Sequence, residues 1–317
     1  MKIGIDIMGG DFAPIQTIKG AILAKKELDD QDKLVLFGPK NFISEKLIEY
    51  GEEVVDYQIV DCSQTIEMSE DPVKAFIAKT DSSITKGFYY LQNDLIDGFA
   101  SAGSTGAMLV GATKVIGLID GVLRPCISSH YPNDEGQDNL ILDVGINSDS
   151  KPEHLVQFAQ LGSLFAKHIM NKENPKVALL NIGEEENKGN SVVKEAYQLL
   201  KKESSINFVG NVEGGDLYKN SRVDVIVCNG FTGNIVLKLA ESFYNMLADR
   251  NIKDSFFEGF NYENFGGTPI LGTKKIIVVG HGKSNDIAIK NMILLTGKII
   301  KSKLCEKTIK TFNYDKN

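Results

Sequence analysis

Lys2-Ile3-Gly4-Ile5-Asp6-Ile7 runs through Met8-Gly9-Gly10-Asp11 into a segment that starts at Pro14, and Leu34-Val35-Leu36-Phe37 follows. The first run is rich in Ile and reads as a strand, ended by the Gly-Gly turn. From 14 to 28, Ile15, Ile18, Ile22 and Leu28 fall near one face of a helix. Residues 34–37 make a second strand, closed by Gly38-Pro39. Strand, helix, strand is a βαβ unit, and that implies parallel pairing. Residues 41–50 then read as a helix and 57–60 as a strand. Residues 98–101 lead into a Gly-rich loop and a long apolar helix from Thr105. Residues 126–130 and 139–144 read as strands joined by the polar loop 132–137, a hairpin that would make the sheet mixed. Further strands are expected at 176–181, 206–209, 223–228 and 275–279, with helices at 154–171, 189–203 and 233–250. The alternation predicts a mainly parallel sheet covered on both faces by helices.

The 317 residues carry 35 Lys and Arg against 42 Asp and Glu, a net charge of −7. That balance removes the electrostatic case for nucleic acid. Hydrophobic residues at 42% and charged residues at 24% suit a soluble globular protein. The expectation is one catalytic domain over 1–317, or two intertwined subdomains, since no Pro/Ser-rich linker or internal repeat divides it. Cys62, Cys126, Cys228 and Cys305 are far apart, without a Cys-x-x-Cys pair. This argues against a disulfide framework or thiolate zinc site and fits a reducing cytosol. Asp6 and Asp11 break any signal-peptide apolar region. The most apolar long run, 109–119, contains Lys114, and nothing reaches the ~18–20 apolar residues of a spanning helix. The lysine-rich tail 298–317 is expected to be a frayed or solvated helix.

Polar and small residues gather just after the expected strands: 9–11, 101–106, 145–147, 183–190, 210–213, 229–234 and 281–284. In open α/β sheets ligands bind beyond the carboxyl ends of strands, so seven such loops on one side predict a large site. Ser101–Gly106 could hold an anion with backbone N–H groups, or equally be a close-packing turn that needs small residues. It is not a Walker loop, because Ala112 stands where the lysine belongs. Gly280-His281-Gly282-Lys283-Ser284-Asn285 begins like a dinucleotide fingerprint, but Asn285 replaces its last glycine and it lies late in the chain. His154 and His168 fall in a helical pattern and His130 ends a strand, whereas His281 is flanked by glycines. In the 70–83 segment, Lys79, Ser82 and Ser83 would suit an oxyanion, though a capped surface helix explains the same pattern. Lys188 is a cation in an otherwise acidic loop.

Taken in order, segments 5–14, 70–83, 100–112, 142–147, 180–190, 208–216, 223–234 and 266–284 resemble the bacterial phosphate acyltransferase family, the acyl-acyl carrier protein:phosphate acyltransferases. Ser104 and Asn229 depart from an asparagine and an aspartate usual there, and Ile77-Ala78 from an arginine-rich stretch. The resemblance implies a three-layer α/β/α sandwich like isocitrate dehydrogenase and phosphotransacetylase. It implies a homodimer with no metal or organic cofactor. It also implies transfer of a fatty acyl group from acyl carrier protein to inorganic phosphate, the acyl phosphate going to a membrane glycerol-3-phosphate acyltransferase for phospholipid synthesis. The expected location is cytoplasmic, with peripheral membrane contact.

Such chemistry asks little of an enzyme nucleophile. Phosphate has a second pKa of about 6–7 and is largely dianionic at neutral pH. A thiol with a pKa near ~8.5 leaves readily. What remains is to bring a dianion to a thioester carbonyl and to stabilise the oxyanion. Lys79, Ser82, Ser83, Ser104 and Thr105 are expected to hold phosphate, and Asn181, Lys188, Asn234 and His281 to orient the thioester or stabilise the oxyanion. A helical apolar excursion near 240–265 collects Phe243, Phe256, Phe257, Phe260 and Phe265. Those rings suit an acyl channel or membrane tip, and equally a dimer interface or core. Rival readings are a phosphotransacetylase-like enzyme using acyl-coenzyme A, and a non-catalytic regulator that binds acyl carrier protein.

Overall fold

Ile3 and Ile5 of β1 (Lys2–Asp6) have no solvent exposure, as a strand covered on both faces requires. The computed structural model describes residues 1–136, 138–218 and 223–314. Gln137, in the expected polar loop, and 315–317 of the tail lie outside the described residues. Along the chain α1 (Ile15–Lys25), β2 (Lys33–Gly38), α2 (Lys40–Glu49), β3 (Gln58–Asp61), α3 (Pro72–Ala78), α4 (Ser83–Gln92), β4 (Gly98–Ser101) and α5 (Thr105–Val110) follow. Then come β5 (Cys126–Pro132), β6 (Asp138–Leu142), α6 (Pro152–His168), β7 (Lys176–Asn181), α7 (Ser191–Leu200), β8 (Asn207–Glu213), β9 (Val225–Val227), α8 (Gly230–Asp249) and α9 (Ser255–Glu258). The chain ends with α10 (Tyr262–Phe265), β10 (Gly267–Leu271), β11 (Ile276–Gly280), α11 (Asp286–Ser302) and α12 (Leu304–Tyr314).

Two compact units emerge. The first joins Met1–Ile119 to Tyr262–Cys305, and the second joins Asp120–Asn261 to the residues from Glu306. In the first unit the strand order is β3-β2-β1-β4-β11-β10, parallel except for the antiparallel β10–β11 pair. Helices cover both faces. Gly98 faces Thr296 and Ile300 of α11, while the next residue, Phe99, faces Gly87 of α4. In the second unit the order is β5-β6-β9-β7-β8, parallel except for the expected β5–β6 hairpin. Gly162 lets α6 lie close on Val225 of β9 and Leu142 of β6.

Several expectations need correction. Residues 210–213 are not a loop beyond a strand but the second half of β8. The helix from Thr105 gives way to a π-helical stretch at Gly111–Ile116. β10, with its Gly267 and Pro269, is not among the expected strands, yet it pairs with β11. Over 298–314 the tail packs one face away from solvent: Ile299, Leu304, Thr308 and Phe312 are all buried. The 240–265 excursion divides, because α8 stops at Asp249 and Phe256 and Phe260 pack with Tyr131 and Tyr218 in an aromatic cluster.

Candidate active site

In the first unit β1, β4 and β11 lie side by side, with Ile5 opposite Ala100 and Ser101 opposite Val279. Their carboxyl ends deliver the loops 7–14, 102–104 and 281–285 to one end of the sheet. From β1 the chain runs outward to β2 and β3, then returns to β4 on the other side of β1. β1 and β4 therefore flank a topological switch point, the place where such sheets form a binding crevice.

Asp6 closes β1 and is 1% exposed. Its carboxylate accepts from Ser101 Oγ at 2.6 Å and from the Met8 N–H at 2.9 Å, and Ser101 Oγ accepts from the Gly103 N–H at 2.9 Å. Burial pushes the Asp6 carboxyl above the ordinary carboxylate range, against hydrogen bonds from Ser101, Ser83 and the Met8 and Gly9 backbone. Gly9 admits no side chain, because a Cβ would stand 2.5 Å from Asp6 Oδ2 and 2.6 Å from the Gly103 nitrogen. The Asp11 N–H donates to Gly282 O at 2.7 Å and ties the first loop to the third. Asp6 was not singled out in the sequence as a site residue, its only signal being a polar residue at the end of an apolar strand, and Ser101 was read only as the start of the 101–106 loop.

The five residues expected at phosphate are all in this unit but do different things. Ser82 caps α4, accepting from the Thr85 N–H, and has no solvent exposure. Ser83 is buried beside Asp6. Ser104 caps α5 by accepting from the Ala107 N–H at 3.3 Å. It does there what an asparagine would do. Thr105 is exposed at the first turn of that helix. Lys79 is engaged: its Nζ donates to Glu70 Oε2 at 2.6 Å and to Thr65 O at 2.7 Å. It thereby straps the 65–70 loop to α3. His281 stacks on Tyr262, with ring centroids 4.6 Å apart and planes at 23°.

The second unit repeats the pattern. Asp143, after β6, is fully buried and accepts from the Asn147 N–H at 2.7 Å, Asn147 Nδ2 at 2.8 Å and the Ile127 N–H at 3.1 Å. Asn229 caps α8 by accepting from the Thr232 N–H at 2.8 Å, a role an aspartate fills equally. Asn234 is exposed one turn into α8, its amide beside Gly145. Asn181 spends its amide on its own loop, donating to Lys188 O at 3.3 Å and accepting from the Ile182 N–H at 2.8 Å. Lys188 is exposed and lies 3.9 Å from Glu185. Thus Asn181 and Lys188 share one loop, and Asn234 sits on α8 beside Gly145.

Among the described residues no group of three or more His, Cys, Asp or Glu side chains is placed to hold a metal ion. Cys62, Cys126 and Cys228 are buried. Burial pushes all three thiols up, that of Cys62 to about 12. Such thiols are poor nucleophiles. The chemistry on offer is hydrogen bonding, helix N-termini and short-range charge. No helix among the described residues is long and apolar enough to cross a membrane.

A family model described as "Fatty acid synthesis protein" matches residues 1–307. A phosphate acyltransferase of Caldicellulosiruptor bescii is 44% identical over 310 residues, covering 91% of each chain. One from Dictyoglomus turgidum is 41% identical, covering 99% of this chain and 98% of its own. Among solved structures, a phosphotransacetylase from Streptococcus pyogenes superposes with a TM-score of 0.67 at 18% identity, over 94% of each chain. A branched-chain phosphotransacylase from Enterococcus faecalis gives 0.62 at 15% identity, over 95% of this chain and 99% of its own. At these identities the structural likeness establishes the fold, a mostly parallel mixed sheet with helices on both sides.

Proposed function

The chain belongs to the phosphate acyltransferase family, and from that premise we propose that its acyl donor is a fatty acyl thioester of acyl carrier protein. Phosphate oxygen forms a bond to the thioester carbonyl carbon, the carbon–sulfur bond breaks, and the carrier thiol leaves with the proton that the hydrogen phosphate brought. The other product is a fatty acyl phosphate, for use by a membrane glycerol-3-phosphate acyltransferase in phospholipid synthesis. The match to a fatty acid synthesis family across residues 1–307 is the observation that carries this reading. The raised thiol pKa values of the buried cysteines agree with direct transfer to phosphate, without an acyl-cysteine.

Phosphate is assigned to the first unit, at Thr105 and the backbone N–H groups of α5, with Ser82, Ser83 and Ser104 setting the two helix starts and Lys79 fixing the adjoining loop. Asn181, Lys188, Asn234 and His281 are assigned to the thioester. A homodimer is expected through α8. There Phe231, Ile235, Leu239, Phe243 and Met246 are each at least 40% exposed. They recur along one helical face about 22 Å long. The donor is tested by comparing kcat/KM for a long-chain acyl-acyl carrier protein and the matching acyl-coenzyme A. A clear preference for the carrier is expected, and a preference for coenzyme A would replace this donor. Thr105→Val should raise the KM for phosphate about tenfold, the worth of one hydrogen bond to a charged group.

A further inference from the structure

His281 is held from three sides. The Lys283 backbone N–H donates to His281 Nδ1 at 3.2 Å. The Tyr262 ring stacks on the imidazole, while its hydroxyl donates to Lys283 O at 2.9 Å, so one residue grips both the ring and the backbone of the residue that bonds it. Ser284 closes the turn, its N–H at 2.9 Å and its hydroxyl at 2.6 Å both donating to His281 O. α10, which carries Tyr262, is itself fastened: Glu263 accepts from Asn285 Nδ2 at 2.8 Å through its side chain and from Asn291 Nδ2 at 2.7 Å through its backbone.

A backbone N–H can only donate, so Nδ1 must be the acceptor and the neutral ring carries its proton on Nε2. An imidazolium would turn an Nδ1–H against the Lys283 N–H. Among the described residues, Lys283 lies within this turn, Glu263 is bonded to it from α10, and Asp11, on the loop after β1, has its Oδ1 3.8 Å from a Cβ built on Gly282. We propose that Tyr262 and the Lys283 N–H fix His281 as the neutral Nε2–H tautomer, and that His281 acts in acyl transfer as a hydrogen-bond donor to developing negative charge, not as a general base. This rests on the assignment of His281 to the thioester. Hydrogen phosphate attacks through an oxygen that is already anionic, so the nucleophile needs no base to make it reactive, whereas the thioester oxygen gains charge that a neutral N–H can meet. Tyr262 is a positioning residue in this account.

The test uses the whole protein. Nitrogen-15 NMR of the ring should show His281 as the Nε2–H tautomer at neutral pH. An Nδ1–H tautomer or an imidazolium there would overturn the proposal. His281→Gln can place an amide N–H where Nε2–H stands, whereas His281→Ala cannot. H281A should lose roughly 10²–10³ in kcat. H281Q should recover at least tenfold over H281A. Equal loss in both variants, each folded by circular dichroism, would mean that donation is not the role. Full turnover of H281A would instead remove His281 from the thioester site, a failure of the underlying reading whatever its tautomer. Tyr262→Ala should lower kcat, leave the KM for phosphate unchanged and shift the ring nitrogen signals, with Tyr262→Phe restoring most of the rate. Unchanged nitrogen signals in Y262A would exclude Tyr262 as the positioning residue.

Discussion

At Asp81 three donors converge on one carboxylate: the Lys86 ammonium, the Ser63 N–H at 2.8 Å and Ser63 Oγ at 2.5 Å. Lys86 and Ser63 hold the carboxyl well below the usual range. With a folded pKa below the unfolded one, its contribution to stability is present above the ordinary carboxylate value and is lost as pH falls through the lowered one. Asp81→Asn should therefore melt below the native protein at pH 7, the gap narrowing progressively below about pH 4. A gap independent of pH would mean that shape, not charge, sets the contribution. Single residues were the least legible part of the sequence. Ser82 and Ser104 read as candidate ligands because helix caps and anion sites both ask for short polar side chains where a strand turns into a helix. Lys79 looked like a spare cation because its partner Glu70 lies nine residues away, beyond any helical pairing rule. Asp6 and Ser101 form a contact across 95 residues, and no local pattern encodes it.

At the scale of elements, the start of α8 is built by exclusion. A Cβ on Gly233 would lie 2.0 Å from Asp143 O and 2.9 Å from Cys228 Sγ, so Gly233→Ala must push α8 off the loop after β6. It should destabilise the protein by about 3 kcal/mol in urea unfolding. Asn229→Ala removes only the cap and should cost about 1 kcal/mol, whereas Asn229→Asp should cost a few tenths at most. A Gly233→Ala protein as stable as the native one would mean that this close approach is wrong. Elements themselves were well encoded where burial was complete, since β1, β2 and β4 are apolar runs bounded by glycine. β10 was missed because Gly267 and Pro269 carry turn signals that sheet pairing overrode. The tail was misread because its lysines dominate the composition, while Ile299, Leu304, Thr308 and Phe312 do the packing.

Over the whole molecule, the parallel sheet and its helices followed from the strand–helix rhythm, and membership of the family followed from ordered blocks along nearly the full chain. What the rhythm did not carry was which apolar residues face outward. Phe260 is 6% exposed inside the aromatic cluster, whereas Leu239 and Phe243 are 54% and 41% exposed on α8. A helix of this length alternates environments every few residues, and only packing decides them. Leu239→Glu with Phe243→Glu should therefore turn the proposed dimer into a monomer by light scattering, while Phe256→Ser should act through stability. A native protein that is already monomeric would contradict the dimer. A drop in liposome flotation for the same double variant would then assign the face to lipid. The reaction itself is tested most directly by thiol release from a long-chain acyl-acyl carrier protein with and without inorganic phosphate, the acyl phosphate being trapped with hydroxylamine. Release that depends on phosphate and yields the hydroxamate is the predicted result. Release at the same rate without phosphate, or none from the carrier thioester at all, would contradict it.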